Sequence, residues 1–595
     1  MFSKVLVANR GEIAIRVMRT LEELGIGTVA VYSEPDRDAP HARRADESYL
    51  LGPGPASESY LKIEKILEVA QQSGAEAIHP GYGFLAENAA FAEACEQAGV
   101  VFVGPPPEAI DAMGSKTKAR ELMQDAGVPI VPGVTEPIED VATARAVAES
   151  VGYPIAVKAA AGGGGKGFRV AAAPDRLEEA FEGARRESEK FFADSAVYIE
   201  RYLPHPRHVE IQVLADAHGA CIWLGERDCS VQRRHQKLIE ETPSPVVSDD
   251  LRRRMGEASV RAARAVGYVS AGTLEYLVAG EEFFFLEMNT RIQVEHTVTE
   301  AVTGLDLVRE QVRIAAGEPL GLAQEDVRPR GHAFECRINA EDASRRFLPT
   351  PVRITAYREP SGPGVRVDSG VRAGSEIPEL YDPMIAKLIV WDTDRETARR
   401  RMLRALGEYV VEGPATLIPF HRWLLEEEDF IAGGACHEQL ERLSEQPTPI
   451  PALPPSAPAP ELPGEEAPEE EPQAERRFTA EVEGRRFEVL LRYSASDSVP
   501  SSAGADRRRR RRRGDDGGGG ARAGAKETVS TPMQGTVLRV LVKVGQEVAA
   551  GDVICVVEAM KMENEVAAHR PGTVRELHVA AGQAVRADEV IAVVD

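Results

Sequence analysis

Short apolar runs alternate with amphipathic stretches along residues 1 to about 440 of the chain. Residues 4–8 and 28–32 are short and apolar, as in buried strands, and residues 12–24 between them have the spacing of an amphipathic helix. This alternation of strands and helices is typical of an α/β fold. We therefore predict that this long first part of the chain is α/β.

Two low-complexity segments follow. Residues 447–472 contain ten prolines among Ala and Glu, and residues 494–526 contain seven consecutive arginines and four consecutive glycines. Neither segment has enough apolar surface for a packed core, so both are predicted to be linkers. Between them, residues 477–491 alternate around Glu483-Gly484, which predicts a hairpin.

The end of the chain repeats itself at an offset of 37 residues. Residues 533–558 align without a gap on residues 570–595, and 12 of the 26 positions are identical. Valine recurs at alternating positions in both copies, so each copy is predicted to be half of a β-sandwich that must pair with the other half.

Lys561 lies at the junction of the two copies, where a tight hairpin is expected. It is flanked by Met560 and Met562 at a position where a turn normally has Asn or Gly. Most lysines are ordinary surface residues, but two large apolar neighbours at a turn indicate that this one is displayed for a purpose.

Composition narrows the possible functions. The 71 basic and 95 acidic side chains give a net charge of −24, which argues against nucleic acid or an anionic membrane as a partner of the whole chain. No apolar stretch approaches the ~18 residues of a bilayer-spanning helix, and the first residues lack a signal-peptide core, so we expect a cytoplasmic protein that does not cross a membrane. The six scattered cysteines form no Cys-x-x-Cys pair, which favours buried, reduced thiols.

A glycine-rich loop follows the apolar run at residues 155–160. It formally matches G-x-G-x-x-G, but residues 168–170 continue as a second strand and not as a helix, which disfavours a Rossmann site, and the Walker spacing fails as well. We predict a hairpin whose backbone donors close over phosphates as a flap, with Lys158 on the preceding strand. The loop residues are Gly162, Gly163, Gly164, Gly165, Lys166 and Gly167.

A row of polar residues follows the apolar run at residues 283–286. If residues 283–296 are extended, alternate side chains share one face at intervals of roughly 6.6 Å. A plain solvated strand face is the commoner meaning of such alternation. A neighbouring predicted strand adds Glu275, and Glu275, Glu287 and Asn289 are hard oxygen ligands suited to Mg²⁺. The side chains of the row are Glu287, Asn289, Arg291, Gln293 and Glu295.

Four further segments extend the pattern over about 440 residues. They are ANRGEIA at 8–14, HPGYGFLAEN at 79–88, RDCS at 227–230 and RINAED at 337–342. In this order the segments resemble the ATP-grasp superfamily, and specifically biotin carboxylase. Ala86 stands where that family often has Ser. The repeated domain with Lys561 between methionines resembles the biotin carboxyl carrier domain; its rival, the lipoyl domain, does not normally flank its lysine with methionines.

The resemblance implies a role for each matching residue. Biotin is attached to Lys561, Glu295 deprotonates bicarbonate, and Arg337 stabilises the biotin enolate. Mg²⁺ or Mn²⁺ is held by Glu275, Glu287 and Asn289, and bicarbonate is held by Lys237, Arg291, Gln293 and Val294. ATP is held by the 162–167 loop together with Lys116, Lys158, Glu200, Leu203, His208, Gln232 and His235.

The resemblance also implies a function. ATP and bicarbonate carboxylate biotin on Lys561 through carboxyphosphate, and the carboxyl group is then delivered to a carboxyltransferase. Only 155 residues follow residue 440, too few for that enzyme, so a separate β subunit is expected. The chain thus resembles the α subunit of a bacterial acetyl-CoA/propionyl-CoA carboxylase, in a hetero-oligomer with several α and β subunits, modified by biotin protein ligase. Another acceptor (pyruvate, a longer acyl-CoA or methylcrotonyl-CoA), a different ATP-grasp ligase, and a non-enzymatic carrier are the alternatives.

The expected fold joins an α/β ATP-grasp biotin carboxylase to an all-β biotinyl-lipoyl-like flattened sandwich. The first three domains are a Rossmann-like domain at 1–115, an ATP-grasp domain at 116–325 with its flap within 130–205, and an α/β domain at 326–445. The expected remainder is a Pro-rich linker at 446–475, a hairpin at 476–493 as a possible subunit-docking element, an Arg/Gly-rich linker at 494–526, and the carrier domain at 527–595.

Overall fold

The computed structural model of the chain describes residues 1–134, 137–159, 168–192, 196–233, 236–445, 473–482, 485–494, 528–531, 535–559, 562–586 and 589–595. All six cysteines are buried with free thiols, as the sequence predicted. Within these ranges, no helix combines the length and the apolar character that a bilayer-crossing segment needs.

Residues 4–102 contain the five strands of a parallel sheet in the order β3-β2-β1-β4-β5. Helices cover both of its faces, so Val5, Leu6 and Val7 on the central strand are fully buried, which explains their continuous apolar run. The elements are β1 (Lys4–Val7), α1 (Gly11–Glu23), β2 (Gly27–Ser33), α2 (Pro40–Arg44), β3 (Glu47–Gly52), α3 (Ile63–Ser73), β4 (Ala77–His79), α4 (Ala89–Gln97), β5 (Val101–Phe102) and α5 (Pro107–Gly114).

A small antiparallel sheet in the order β7-β6-β8 comes next. Its strands β6 and β7 pair from Ile155↔Ala171 to Lys158↔Phe168, which confirms the predicted strand-to-strand connection around the glycine-rich loop and excludes a following helix. The glycine-rich loop itself lies outside the described residues. The elements are α6 (Lys116–Asp125), α7 (Val141–Val151), β6 (Ile155–Ala159), β7 (Phe168–Ala171), α8 (Leu177–Phe192) and β8 (Val197–Arg201).

The next sheet, called the central sheet below, has eight strands in the order β13-β12-β9-β10-β11-β14-β19-β18. The sheet contains strands from both sides of residue 325, the expected boundary between the second and third domains. The two parts are joined because β11 pairs with β14 from Ile239↔Cys336 to Thr242↔Ala333. The elements up to β14 are β9 (Arg207–Ala215), β10 (Cys221–Arg233), β11 (Gln236–Thr242), α9 (Asp249–Ala265), β12 (Ser270–Ala279), β13 (Glu282–Asn289), α10 (His296–Thr303), α11 (Leu307–Ala315) and β14 (His332–Asn339).

The far end of this sheet packs on helices that follow it in the chain. A large apolar core joins Phe334 and Leu388 of the sheet to Met402, Phe420 and Phe430 of these helices. The elements are β15 (Glu341–Asp342), β16 (Leu348–Pro349), β17 (Ala356–Arg358), β18 (Val365–Ser369), β19 (Met384–Asp392), α12 (Arg395–Glu408), β20 (Val410–Glu412), α13 (Ile418–Glu426), α14 (Glu428–Ile431) and α15 (His437–Glu445).

The predicted hairpin between the linkers is present. Strands β21 (Gln473–Val482) and β22 (Arg485–Ser494) pair antiparallel from Gln473↔Ser494 to Val482↔Arg485. The register leaves residues 483 and 484, which lie outside the described residues, as the connection between the two strands.

The last domain is two four-stranded sheets, β23-β30-β28-β25 and β27-β26-β24-β29. Each repeat contributes its short strand to the other repeat's sheet: Gly535↔Val585 has its equivalent 37 residues away in Gly572↔Val548. Neither repeat can therefore complete its sheet alone. The elements are β23 (Thr528–Ser530), β24 (Gly535–Val540), β25 (Glu547–Val548), β26 (Val553–Ala559), β27 (Met562–Ala567), β28 (Gly572–Leu577), β29 (Ala584–Val585) and β30 (Val590–Val594).

The hairpin at the repeat junction has the predicted position. Strands β26 and β27 pair up to Ala559↔Met562, so residues 560 and 561 connect them. Lys561 and Met560 lie outside the described residues.

Candidate active site

Buried carboxylates surround Lys237 on β11. Its ammonium nitrogen lies 2.7 Å from Glu210, 3.0 Å from Glu275 and 2.6 Å from Glu295. The three carboxylates come from β9, β12 and the turn after β13, so the lysine draws together side chains from separate strands. A buried charge of either sign is costly unless it is paired, and here each carboxylate has the same cation as a partner.

Glu295 is almost fully buried between two cations. One carboxylate oxygen accepts from Lys237, and the other accepts from Arg337 Nη2 at 2.9 Å. Burial alone would raise the pKa of Glu295, but the charges of Lys237, Arg337 and Arg227 outweigh burial and hold that pKa well below its ordinary value. The carboxylate is therefore ionised.

Arg337 on β14 also contacts a second buried carboxylate. Its Nε donates to Glu240 at 2.6 Å. Burial, together with the negative charge of Glu295, raises the pKa of Glu240 to about 7 against the opposing charges of Arg337 and Lys237. The arginine is thus held in a fixed orientation by one carboxylate on each side.

Arg227 on β10 is a fully buried hub, and the RDCS segment that contains it gave no indication of this role. It donates to Glu210 at 2.6 Å, Gln212 at 2.7 Å and Gln293 at 2.7 Å, and more weakly, at 3.1 Å, to Thr273 and Thr299. Five donors in a planar fork suit such a position, and lysine could not replace them. The signal in the sequence was a run of three charged residues, Glu226 to Asp228, in the middle of an otherwise largely apolar strand.

Glu275 on β12 and Glu287 on β13 are directly opposite each other in the sheet. Like charges at such positions repel unless a cation lies between them. Asn289 at the end of β13 donates to Glu275 at 2.9 Å, so the three predicted oxygen ligands lie together. This set fits a hard divalent cation such as Mg²⁺.

His208 and Gln232 lie next to these carboxylates. His208 Nε2 is 2.8 Å from Glu275, and Gln232 Nε2 is 2.9 Å from His208 Nδ1. Burial lowers the pKa of His208, but the hydrogen bond to Glu275 and its charge raise that pKa above its ordinary value. The grouping of His208, Glu210 and Glu275 could itself hold a metal ion by distance, but Lys237 already neutralises two of its members.

The expected extended row is wrong beyond Asn289. Strand β13 ends there, and a turn carries the chain back over the face of the sheet. Gln293 donates to Glu275 at 2.8 Å and accepts from Arg227 on β10, whereas Glu295 reaches β11 and β14. Because the chain crosses the sheet here, these side chains lie in one cluster. In a straight strand they would have been spread along the edge of the sheet.

Arg291 stands at the start of this turn. Its Nε donates to Glu87 at 2.9 Å, and its Nη2 donates to Asn289 at 3.0 Å. A cavity of about 260 Å³ beside it is lined by Tyr82, Gln236, Arg291, Val294 and Arg337 among others. A small anion or a planar ring in this cavity would meet the guanidinium groups of Arg291 and Arg337.

The predicted nucleotide residues lie partly in the described chain. Lys158 on β6 and Glu200 on β8 form an ion pair across adjacent strands. Leu203 is buried with Val131 and Phe284 in a small apolar cluster. The side chain of Lys116, at the start of α6, lies outside the described part, as do His235, Gly162, Gly163, Gly164, Gly165, Lys166 and Gly167.

Four families match the chain in succession. Residues 1–110 match the family described as biotin carboxylase, N-terminal domain, and residues 115–323 match the carbamoyl-phosphate synthase L chain ATP-binding domain. Residues 335–442 match the biotin carboxylase C-terminal domain, and residues 527–594 match the biotin-requiring enzyme family.

Known proteins are similar over most of the chain. A pyruvate carboxylase subunit of Methanothermobacter thermautotrophicus is 55% identical over 433 residues, 73% of this chain and 88% of that protein. The biotin-dependent acyl-coenzyme A carboxylase alpha3 subunit of Mycobacterium leprae is 46% identical over 575 residues, 96% of this chain and 94% of that protein.

A solved structure is similar as well. The biotin carboxylase domain of the Hydrogenobacter thermophilus 2-oxoglutarate carboxylase, in complex with MgADP, ADP and bicarbonate, is 47% identical with a TM-score of 0.67. It is matched over 75% of this chain and 99% of its own. The chain therefore belongs to the biotin carboxylase family: it is an ATP-grasp biotin carboxylase joined in one polypeptide to a biotin carrier domain, and a subunit of a biotin-dependent carboxylase.

Proposed function

We propose that the chain is the α subunit of an acetyl-CoA/propionyl-CoA carboxylase. The observation that carries this proposal is the similarity to the alpha3 subunit of a biotin-dependent acyl-CoA carboxylase over 96% of this chain, which extends through the linkers and the carrier domain. The similarity to the pyruvate carboxylase subunit covers 73% of this chain and leaves the remainder unmatched.

Glu295 is proposed to act as the base toward bicarbonate. Its buried carboxylate, held by Lys237 and Arg337, would accept the bicarbonate proton, and the resulting oxygen nucleophile would attack the γ-phosphorus of ATP to give carboxyphosphate and ADP. Lys237 and Arg291, with Gln293 and Val294, would position bicarbonate. Arg337 would stabilise the negative charge that develops on the carboxyl acceptor.

Glu275, Glu287 and Asn289 are proposed to hold Mg²⁺ or Mn²⁺. The strand register, which sets Glu275 directly opposite Glu287, supports this assignment, since a cation would relieve the repulsion between their carboxylates. Bound there, the metal would offset the charge of the ATP phosphates.

The ATP site is proposed to lie between the small sheet and the central sheet. Lys158 and Glu200 would face the phosphates and the base, and Leu203 would contribute an apolar contact. Lys116, the loop of Gly162, Gly163, Gly164, Gly165, Lys166 and Gly167, and the side chains of His208, Gln232 and His235 complete the set that the family resemblance implies. Closure of that loop would exclude water from the labile carboxyphosphate.

Biotin is proposed to be attached to Lys561 by a biotin protein ligase. The hairpin register supports this, because only residues 560 and 561 connect the paired Ala559 and Met562. The carrier would take the carboxyl group to a carboxyltransferase on a separate β subunit, and the hairpin of β21 and β22 is the proposed docking element for that subunit.

Purification of the chain with its native partners tests the proposal. The complex should fix labelled bicarbonate into acetyl-CoA or propionyl-CoA in the presence of ATP, and a chain lacking residues 473–494 should lose the partner while it still carboxylates free biotin. Fixation into pyruvate alone, with neither acyl-CoA accepted, would favour the second candidate, which the similarity to the pyruvate carboxylase subunit supports.

A further inference from the structure

Lys387 on β19 is a fully buried lysine that none of the chemistry above uses. Its Nζ donates to the backbone oxygen of Val294 at 2.8 Å and lies 3.5 Å from Glu12 Oε2. Directly across the sheet it is paired with Arg337 on one side and with Asp368 on the other. A charged group in such a place needs compensation, and it receives it from a carboxylate and a carbonyl.

Val294 lies between two residues whose side chains are already fixed. Gln293 is held by Arg227 and Glu275, and Glu295 is held by Lys237 and Arg337. These contacts fix the side chains but not the peptide planes between them.

The backbone carbonyls set those planes. The oxygen of Gln293 accepts from His296 Nδ1 at 2.7 Å, and the oxygen of Val294 accepts from Lys387. A trans peptide places its N–H opposite its C=O, so these two bonds turn the amide hydrogens of Val294 and Glu295 away from His296 and Lys387. Lys387 therefore controls the orientation of a backbone donor beside the proposed bicarbonate position.

Glu12 connects Lys387 to Tyr82, which lines the cavity beside Arg291. It lies in the first turn of α1 and accepts a hydrogen bond from the hydroxyl of Tyr82. Glu12, Tyr82 and Val294 all line the cavity of about 260 Å³. The loop that carries Tyr82 is tied back by Asn9, which donates to the oxygens of Pro80 at 2.7 Å and Tyr82 at 2.8 Å.

We propose that Lys387 and Glu12 are positioning residues for bicarbonate: they act through the Val294 peptide and through Tyr82 without touching the substrate. The inference rests on the proposed function, in which Arg291, Gln293 and Val294 hold bicarbonate. The competing explanation is that Lys387 only balances the buried charges of Glu12, Asp368 and Glu335, in which case its loss would affect stability and every substrate alike.

Steady-state kinetics of the full-length chain with free biotin as acceptor distinguish the two explanations. Lys387→Met should raise the KM for bicarbonate by about tenfold, as expected for loss of one charge-assisted hydrogen bond, while the KM for ATP changes by less than about twofold. Lys387→Arg should recover part of the bicarbonate affinity, since it can still donate to the Val294 carbonyl.

Lys4 offers a matched control. It has the same kinds of partner, a carboxylate at 2.6 Å (Glu47) and a backbone oxygen at 2.8 Å (Ser73), in the first sheet. Lys4→Met should leave both KM values unchanged. If Lys387→Met does not fold, Glu12→Gln distinguishes the two explanations instead. This variant should raise the KM for bicarbonate by about threefold and leave the KM for ATP unchanged.

Two outcomes would overturn the proposal: equal changes in both KM values, or an unchanged bicarbonate KM in a folded variant. Failure of the proposed function would look different, because the wild-type chain itself would then release no ADP in response to bicarbonate.

Discussion

Arg337 Nη2 lies 2.9 Å from Glu295 Oε2, although β13, which leads to Glu295, is the edge strand of the central sheet and β14, which carries Arg337, is the sixth strand from that edge. The turn after Asn289 makes the contact possible, because it crosses the face of the sheet. The proposed base and the proposed charge-stabilising group are thereby held in one hydrogen-bonded unit.

Replacement of the proposed base should separate chemistry from binding. Glu295→Gln removes the proton acceptor with little change in volume, so bicarbonate-dependent ATP cleavage should fall by about 10²- to 10⁴-fold. Nucleotide affinity, measured by calorimetry, should be largely intact. An equal loss of ATP cleavage and of nucleotide affinity would mean that Glu295 is not the base.

Removal of the buried hub should destabilise the central sheet. Arg227→Met removes the donor to the side-chain oxygens of Gln212 and Gln293 and leaves Glu210 with Lys237 as its remaining cation, at a cost of about 3–5 kcal/mol in the free energy of unfolding. Arg227→Lys retains the charge but not the five-donor fork, so it should recover only part of this loss. Denaturant unfolding followed by tryptophan fluorescence measures both variants, and wild-type stability in Arg227→Lys would contradict the hub role.

The paired carboxylates predict a specific metal dependence. Glu287→Gln removes one ligand charge, and the Mg²⁺ concentration that supports half-maximal ATP cleavage should rise by about tenfold. Glu282→Gln, on the same strand and exposed, is the matched control and should leave that concentration unchanged. A chelator should abolish activity in the wild type, and added Mg²⁺ should restore it. A Glu287→Gln response identical to that of the control would remove Glu287 from the metal site.

Lys561 should be the only residue that carries biotin. Intact-mass measurement of the chain coexpressed with biotin protein ligase should find one biotin, and Lys561→Arg should abolish this adduct while carboxylation of free biotin continues. Lys543→Arg, in the same domain, should remain biotinylated. A biotin that persists in Lys561→Arg would place the attachment site elsewhere.

Buried histidines predict a loss of stability in acid. Burial lowers the pKa of His41, His79 and His421 to about 4, below the ordinary value of 6.5. Between pH 6.5 and pH 4 these histidines are protonated in the unfolded chain but neutral in the folded chain. The stability that each neutral histidine contributes is therefore present above pH 6.5 and is lost as the pH falls from 6.5 toward 4. The loss at pH 4 is about 3 kcal/mol per histidine.

His41→Phe tests this sign. The free energy of unfolding of this variant should depend less steeply on pH between 6.5 and 4 than that of the wild type, with little difference in slope above pH 7. A wild-type slope in His41→Phe across the whole range would show that the pKa of His41 is the same in the folded and the unfolded chain.

Local patterns in the sequence determined a large part of the architecture. The strand–helix–strand alternation predicted the first sheet, the Glu-Gly pair predicted the hairpin of β21 and β22, and the offset of 37 residues predicted two halves that complete one another. The two strands and their carboxylates, Glu275 and Glu287, were also visible in the alternation, although the register that pairs them was not. Each of these features depends on residues that are close in sequence or repeated along it.

The tertiary structure alone decided how the site is assembled. Periodicity does not show that β11 pairs with β14 or that the chain turns after Asn289. Nor does it show that Arg227 and Lys387 donate hydrogen bonds to Gln293 and Val294 in that turn. The same alternating polar residues are compatible with an extended strand and with a turn that crosses the sheet. The turn is preferred because it lets the buried charges pair with partners on distant strands. The sequence thus specified the strands and the reactive side chains, whereas the order of strands in the sheet determined which of those side chains meet.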